Sequence, residues 1–223
     1  MDRNERGPYL RAGLDRRAFL AGAGAGALLA LLAPPAARGQ GRLGQVRDLR
    51  GDVRINGRTA EWASAVRPGD VVETGTDGAI IFVTGRDAVW VRSGSRLELE
   101  GAASSTVVAA LRVVTGAVAA VFQRGRPRTV YMPTVTAGIR GTGIFVETRA
   151  AETYFCTCFG VVELVAPGNE RELVESERHA ARLVGRGDAR GTRFATAALE
   201  RHTDAEMDLL EQVVGRRAPW FVR

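Results

Sequence analysis

The chain contains no lysine, so all 31 of its basic side chains are arginines. GC-rich codons alone produce that bias, and it needs no anionic partner to explain it. Cysteine and histidine are almost as scarce, with two of each in 223 residues. Two cysteines, Cys156 and Cys158, cannot build a disulfide framework and must be explained locally. Two histidines and no clustered acids leave little from which to assemble a hydrolase. There is no Gly-x-Ser-x-Gly elbow, no His-Glu-x-x-His and no phosphate-cradling Gly-x-x-x-x-Gly-Lys, so an enzyme is not expected. The formal charge of +6 is less than it looks, because Arg3, Arg6, Arg11, Arg16, Arg17 and Arg38 face only Asp2, Glu5 and Asp15 in residues 1–39. The remainder is only mildly basic, and nucleic acid is not an expected partner.

Long apolar runs are also missing. The one uncharged stretch, Ala18 to Ala33, falls short of the roughly 20 residues a membrane helix wants and holds Gly22, Gly24 and Gly26. With its charged lead-in and the small residues that follow, it reads as an export signal over residues 1–39. Arg16 and Arg17, a spacer, then Phe19 and Leu20 resemble a twin-arginine signal. An ordinary secretory signal or an uncleaved anchor are the alternatives. Cleavage near Ala37 or Gly39 and a periplasmic address are expected, with membrane contact only through this segment if it stays uncleaved.

What is present after that is a procession of short β-branched runs separated by turns, so the fold is expected to be all-β, a β-sandwich or short β-solenoid. Val53-Arg54-Ile55 alternates, and Asn56-Gly57 supplies two positive-φ positions for a tight hairpin. Arg67-Pro68-Gly69-Asp70 and Gly75 to Gly78 are turns flanking Val71 to Thr74. Further strands are expected at Ile80 to Val83, Ala88 to Val91, Leu97 to Leu99, Leu111 to Thr115, Ala117 to Phe122, Thr129 to Met132, Gly143 to Glu147, Tyr154 to Cys158 and Val161 to Val165. Leu97 to Glu100 alternates strictly, which gives one buried and one wet face. The β domain is placed at residues 40–166 and a C-terminal extension at 167–223. Within the extension, Glu172 to Val184 fits either two edge strands or a short helix. Thr203-Asp204-Ala205-Glu206 is a capping box that opens an amphipathic helix over 203–214, with Met207, Leu210, Val213 and Val214 on its apolar face and Gly215 at its end.

These residues resemble the FecR-domain proteins of bacterial envelopes over roughly Val46 to Val165. The resemblance rests on Gly51 to Gly57, on Val66 to Gly75 with Gly78, on Leu97, and above all on Pro133-Thr134-Val135-Thr136-Ala137-Gly138-Ile139-Arg140-Gly141-Thr142. It implies an extracytoplasmic all-β module that binds or senses. In the family's iron-signalling members, that module relays receptor occupancy to a cytoplasmic sigma factor. Only about fifteen residues precede the apolar run here, too few for a helical sigma-binding domain, since helices of that kind run roughly 10–14 residues each. Direct sigma-factor binding is therefore not expected. A stand-alone periplasmic module contacting an envelope protein, a cell-wall component or a small-molecule ligand fits better.

Three candidate sites follow. Cys156 and Cys158 at i and i+2 project from the same face of a strand. Together with His179 and His202 they could hold a soft metal, zinc or copper. The alternatives are a strained, reducible thiol pair, or two buried structural cysteines with surface histidines. No other cofactor is expected. Arg140-Gly141-Thr142 could hold an anion, or could simply form a hairpin turn. Trp62, Trp90 and Phe82 could line a sugar groove or pack in a core.

Overall fold

The computed structural model describes residues 44–102, 108–185 and 194–221. The expected signal residues Arg16, Arg17, Phe19 and Leu20 lie outside that range. In chain order the strands are β1 Gln45–Arg50, β2 Val53–Ile55, β3 Arg58–Thr59, β4 Val71–Thr74, β5 Ala79–Thr84, β6 Asp87–Val91, β7 Arg96–Glu100 and β8 Ala110–Val121. They continue as β9 Arg128–Tyr131, β10 Thr136–Ile139, β11 Gly143–Thr148, β12 Glu152–Val165, β13 Arg171–Ser176, β14 Ala180–Gly185 and β15 Phe194–Ala197. Helix α1, Asp204–Val213, and a short 3₁₀ turn, Pro219–Phe221, follow.

The strands form two sheets. The first runs β1-β5-β6-β8-β11-β12-β14-β15. The second runs β3-β2-β4-β7-β8-β9-β10-β12-β13. Among the described residues every ladder is antiparallel except β8 with β9, which leaves no room for the repeated parallel coils of a solenoid. The sandwich alternative is the one the chain adopts. The segment from Pro167 onward supplies β13, β14 and β15, of which β13 and β14 pair directly with β12. The ambiguous stretch 172–184 is therefore two strands.

Two expected strand pairs are each one long strand. The runs 111–115 and 117–122 join as β8, and 154–158 and 161–165 join as β12. Each passes from one sheet to the other at a glycine with positive φ, Gly116 at 77° and Gly160 at 90°. A side chain is strained in that region, so glycine marks the corner where a strand changes sheets. Residues 133–142, expected to lead into a strand, contain a strand of their own, β10.

Alternation along the strands sorts side chains into two cores. Phe82, Val89, Val91, Leu97, Leu111, Val113, Val130, Ile144, Phe155 and Leu164 belong to the cluster between the sheets. Ile81, Ala88, Ala119, Phe145, Tyr154, Cys156 and Cys158 lie on the other face of the first sheet, under α1. Met207 and Leu210 of α1 are fully buried there. Each such side chain contributes about 1.5–3 kcal/mol, enough to seat a three-turn helix that would not persist alone. Phe82 and Trp90 thus occupy opposite faces of the first sheet, while Trp62 is 62% exposed on the loop after β3. The three do not share a groove.

Candidate metal centre

Four side chains from three parts of the chain meet under the N-terminus of α1. Cys156 and Cys158 point outward from β12 toward the helix, as their i, i+2 spacing requires. His179 sits in the β13–β14 turn with φ of 52°, and its amide donates to the Cys158 carbonyl at 2.9 Å. That bond fastens the turn to the strand carrying the thiols. His202 precedes the helix and stacks on Phe145, ring centroids 4.5 Å apart and planes within 10°.

The four donor atoms all lie within 4.8 Å of one another. Cys156 Sγ is 4.0 Å from Cys158 Sγ and 3.7 Å from His179 Nδ1. Cys158 Sγ is 3.4 Å from His202 Nε2, and the two ring nitrogens are 3.2 Å apart. A tetrahedron built from ordinary zinc–sulfur and zinc–nitrogen bonds has edges of about 3.8 Å for S to S, about 3.6 Å for S to N and about 3.3 Å for N to N. Each of the four edges given falls within a few tenths of an ångström of that figure.

The far side of each imidazole fixes its tautomer. His202 Nδ1 donates to the Glu200 carbonyl at 2.7 Å, and a carbonyl can only accept. His179 Nε2 lies 2.7 Å from Asp204 Oδ1. Both outer nitrogens are therefore donors, and in the neutral rings the inner nitrogens turn their lone pairs toward one another and the sulfurs. Metal-binding histidines are oriented by outer partners of this kind, a carboxylate or a backbone carbonyl. With both rings neutral, two lone pairs 3.2 Å apart repel, and either a metal ion between them or a proton on one ring removes the conflict.

The supports are extensive. The Thr203 and Glu206 capping box is present and places Asp204 in the first turn of α1. Arg178 pairs with Asp204 on its other oxygen. The Tyr154 hydroxyl donates to the Ala198 carbonyl and accepts from the Glu200 amide, both at 3.0 Å. Arg149 holds the Glu200 carboxylate at 2.7 Å. Arg92 lies over Phe145 and pairs with Glu206 at 2.7 Å.

Electrostatically the thiols split. The hydrogen bond from Cys158, then those from His179 and His202, bring Cys156 down to about 4 against the cost of burial. Burial and the neighbouring Cys156 charge push Cys158 well above the usual thiol range. Burial opposes charge on His179, but hydrogen bonds to Cys156 and Asp204 outweigh it and raise the imidazole. The site is closed, with both cysteines fully buried, His202 4% exposed and the His179 side chain 6% exposed. The thiols are free, their sulfurs well beyond bonding distance.

The Arg140-Gly141-Thr142 candidate is divided. Arg140 and Gly141 line an open cleft of about 670 Å³. Thr142 is fully buried, does not line the cleft, and its hydroxyl has no hydrogen-bond partner among the described residues. Sequence reading missed the partners that orient the site: Asp204, Glu200, Tyr154 and Phe145. Asp204 was visible in the capping box, but only as a helix residue.

No family model matches the chain, and no curated protein matches it. Among solved structures, two crystal structures of a provisionally assigned anti-sigma factor from Parabacteroides distasonis, at 1.65 and 2.50 Å resolution, resemble it at 14% identity with a TM-score of 0.45. Each match covers 57% of this chain and 58% of the other, so the chain spans less than two thirds of that protein.

Proposed function

We propose that this chain is a non-enzymatic, FecR-like binding module of the cell envelope whose Cys156, Cys158, His179 and His202 hold one zinc ion. The convergence of four donors within 4.8 Å of one another, with four of their six separations at the edge lengths of a zinc tetrahedron, carries this reading. Zinc suits the set better than copper, because two thiolates and two imidazoles at tetrahedral spacing are a zinc arrangement, whereas His₂Cys copper sites want a trigonal plane and a long axial ligand. Four protein ligands and a closed shell leave no open position, which is the form of a structural zinc site and not of a hydrolytic one. The ion would tie β12, the β13–β14 turn and the approach to α1 together, holding the helix on the first sheet. The twin-arginine reading of residues 16–20 supports export after folding, with the metal already in place.

The test is native mass spectrometry beside elemental analysis on untagged protein recovered from the periplasm. One zinc per chain, lost on denaturation and lost in Cys156→Ser, is the expected result. A native mass equal to the bare chain, with both thiols alkylatable after unfolding and no zinc, copper or iron, would overturn it.

A further inference from the structure

The cleft at Arg140 has a charge pattern that the metal reading does not use. At about 670 Å³ it lies within the roughly 300–1,000 Å³ of small-ligand sites. Its order can be read from contacts along the sheet edge. A Cβ on Gly141 would come within 2.5 Å of Arg124 Cα, and one on Gly160 would come within 3.1 Å of the Gly141 carbonyl oxygen. Gly160 in turn pairs with Ser176, and Val161 with Glu175. The row therefore runs from Arg124, through the Arg140-Gly141 turn and the β12 corner, to the end of β13. Two arginines stand at one end of it. At the other stand Glu175 and Glu177, with Ser176 between them and Arg178, its charge taken up by Asp204, beside them.

Among the described residues neither Arg124 nor Arg140 forms an ion pair with a carboxylate, whereas Arg92, Arg96, Arg112, Arg128 and Arg149 do. Phe159 and Trp220, edge to face at 5.6 Å, add an aromatic wall. A polyanion gains at the arginine end and is repelled at the glutamate end. A ligand with one carboxylate and one ammonium group satisfies both.

We infer that this cleft binds a small zwitterion, a free amino acid or very short peptide, with its carboxylate on Arg124 and Arg140, its ammonium toward Glu175 and its side chain against Trp220. Guanidinium groups take carboxylates bidentately, which gives the arginine end its selectivity. The remaining wall is Arg178, Pro219 and Trp220. Arg178 is the neighbour of His179 and pairs with its carboxylate, Asp204, while Trp220 packs on the His179 ring at 5.4 Å. The metal centre thus sets one wall of the cleft, and metal loading completes the binding site. That last step rests on the metal reading above; the charge pattern does not.

The experiment is calorimetric titration of the metal-loaded protein with the dipeptide Ala-Phe, its N-acetyl form and its C-terminal amide. Ala-Phe is expected to bind, and each cap to weaken it about tenfold or more, the scale of one lost charge-assisted hydrogen bond. Arg140→Ala, at an exposed position, is expected to weaken Ala-Phe to the level of the amide, to leave the amide itself unaffected, and to leave the thermal midpoint unchanged. Stripping the metal abolishes binding, and zinc restores it. No heat with Ala-Phe, or equal affinity for the free acid and the amide, overturns the assignment. Binding of Ala-Phe by metal-stripped protein overturns only the dependence on the metal, whereas protein that takes up no zinc and still binds Ala-Phe keeps the cleft and sinks the metal reading, so the failures are distinct.

Discussion

His179 and Asp204 face each other at 2.7 Å, Nε2 to Oδ1, across the gap between the β13–β14 turn and the first residue of α1. In the neutral ring the carboxylate fixes which nitrogen carries the proton, and so leaves Nδ1 free to face a metal beside Cys156. Asp204→Asn removes the charge and keeps the size. Loss of an outer partner of this kind costs about 10- to 100-fold in metal affinity. Competition against a chromophoric chelator should read that loss while far-ultraviolet dichroism stays unchanged. Undiminished affinity would mean that His179 is not a ligand.

Tyr154 holds the other histidine at one remove. Its hydroxyl bridges Ala198 and Glu200, and the Glu200 carbonyl orients His202. Tyr154→Phe keeps the buried ring and deletes the bridge. Chemical denaturation should show about 1–3 kcal/mol of lost stability, since a buried acceptor and donor are left unpaired. Metal affinity should fall with it, whereas a purely packing role would leave affinity alone.

In metal-free protein one thiol of the pair should titrate far into the acid range. The Cys156 value of about 4 stands against an ordinary 9.0. A depressed value means the folded state holds fewer protons than the unfolded one between those two limits. Cys156 therefore adds stability that is full above about pH 9 and is lost as pH falls through about 4, while the raised Cys158 works in the opposite sense above the ordinary thiol range. Thiolate absorbance in the ultraviolet should show one equivalent at pH 6, vanishing toward pH 3. Absence of any thiolate at pH 6 would contradict the hydrogen-bonded cluster.

Asp87 and Arg128 form a buried ion pair at 2.8 Å, with side chains 4% and 8% exposed, and Asp87 also accepts from the Gln123 amide at 2.7 Å. Asp87→Ala strands the guanidinium and should cost about 3–5 kcal/mol in urea unfolding. Arg171→Ala breaks an exposed pair with Glu163 and should cost no more than about 1 kcal/mol.

Gly160 turns β12 from the first sheet into the second. In Gly160→Ala the new Cβ meets Thr142 Cγ2 at 2.5 Å, on top of an unfavourable φ of 90°. The expected loss exceeds 1 kcal/mol, with a lower thermal midpoint. Gly57→Ala, also at positive φ but in open space, isolates the backbone share of that cost.

Some of this was plain in the sequence. Asn56-Gly57 makes its hairpin, Leu97 to Glu100 alternates as buried and half-buried residues, and Thr203 with Glu206 caps α1. Those are local signals, written within a few residues. The continuity of β8 and β12 was hidden because a positive-φ glycine reads as a turn when its strand partners are unknown. Strands β13 and β14 could not be told from a short helix because the charged residues between 172 and 184 blur the alternation. For the metal centre, residue chemistry named the four donors, but their meeting depends on contacts 23 and 44 residues apart. Sequence pattern has no term for that. Thr142 failed for a related reason: a turn residue reads as exposed unless one knows that the β12 corner lies against it.

The outward pitch of Cys156 and Cys158 has a bearing on how the chain reaches its fold. Thr157 between them is fully buried and, by alternation, belongs to the opposite face. Were β12 to pair with β11 one residue out of step, both sulfurs would turn into the space between the sheets and only Thr157 would face the histidines. A bound ion would hold only the correct alignment, so acquiring the metal would act as proofreading of the longest strand among the described residues.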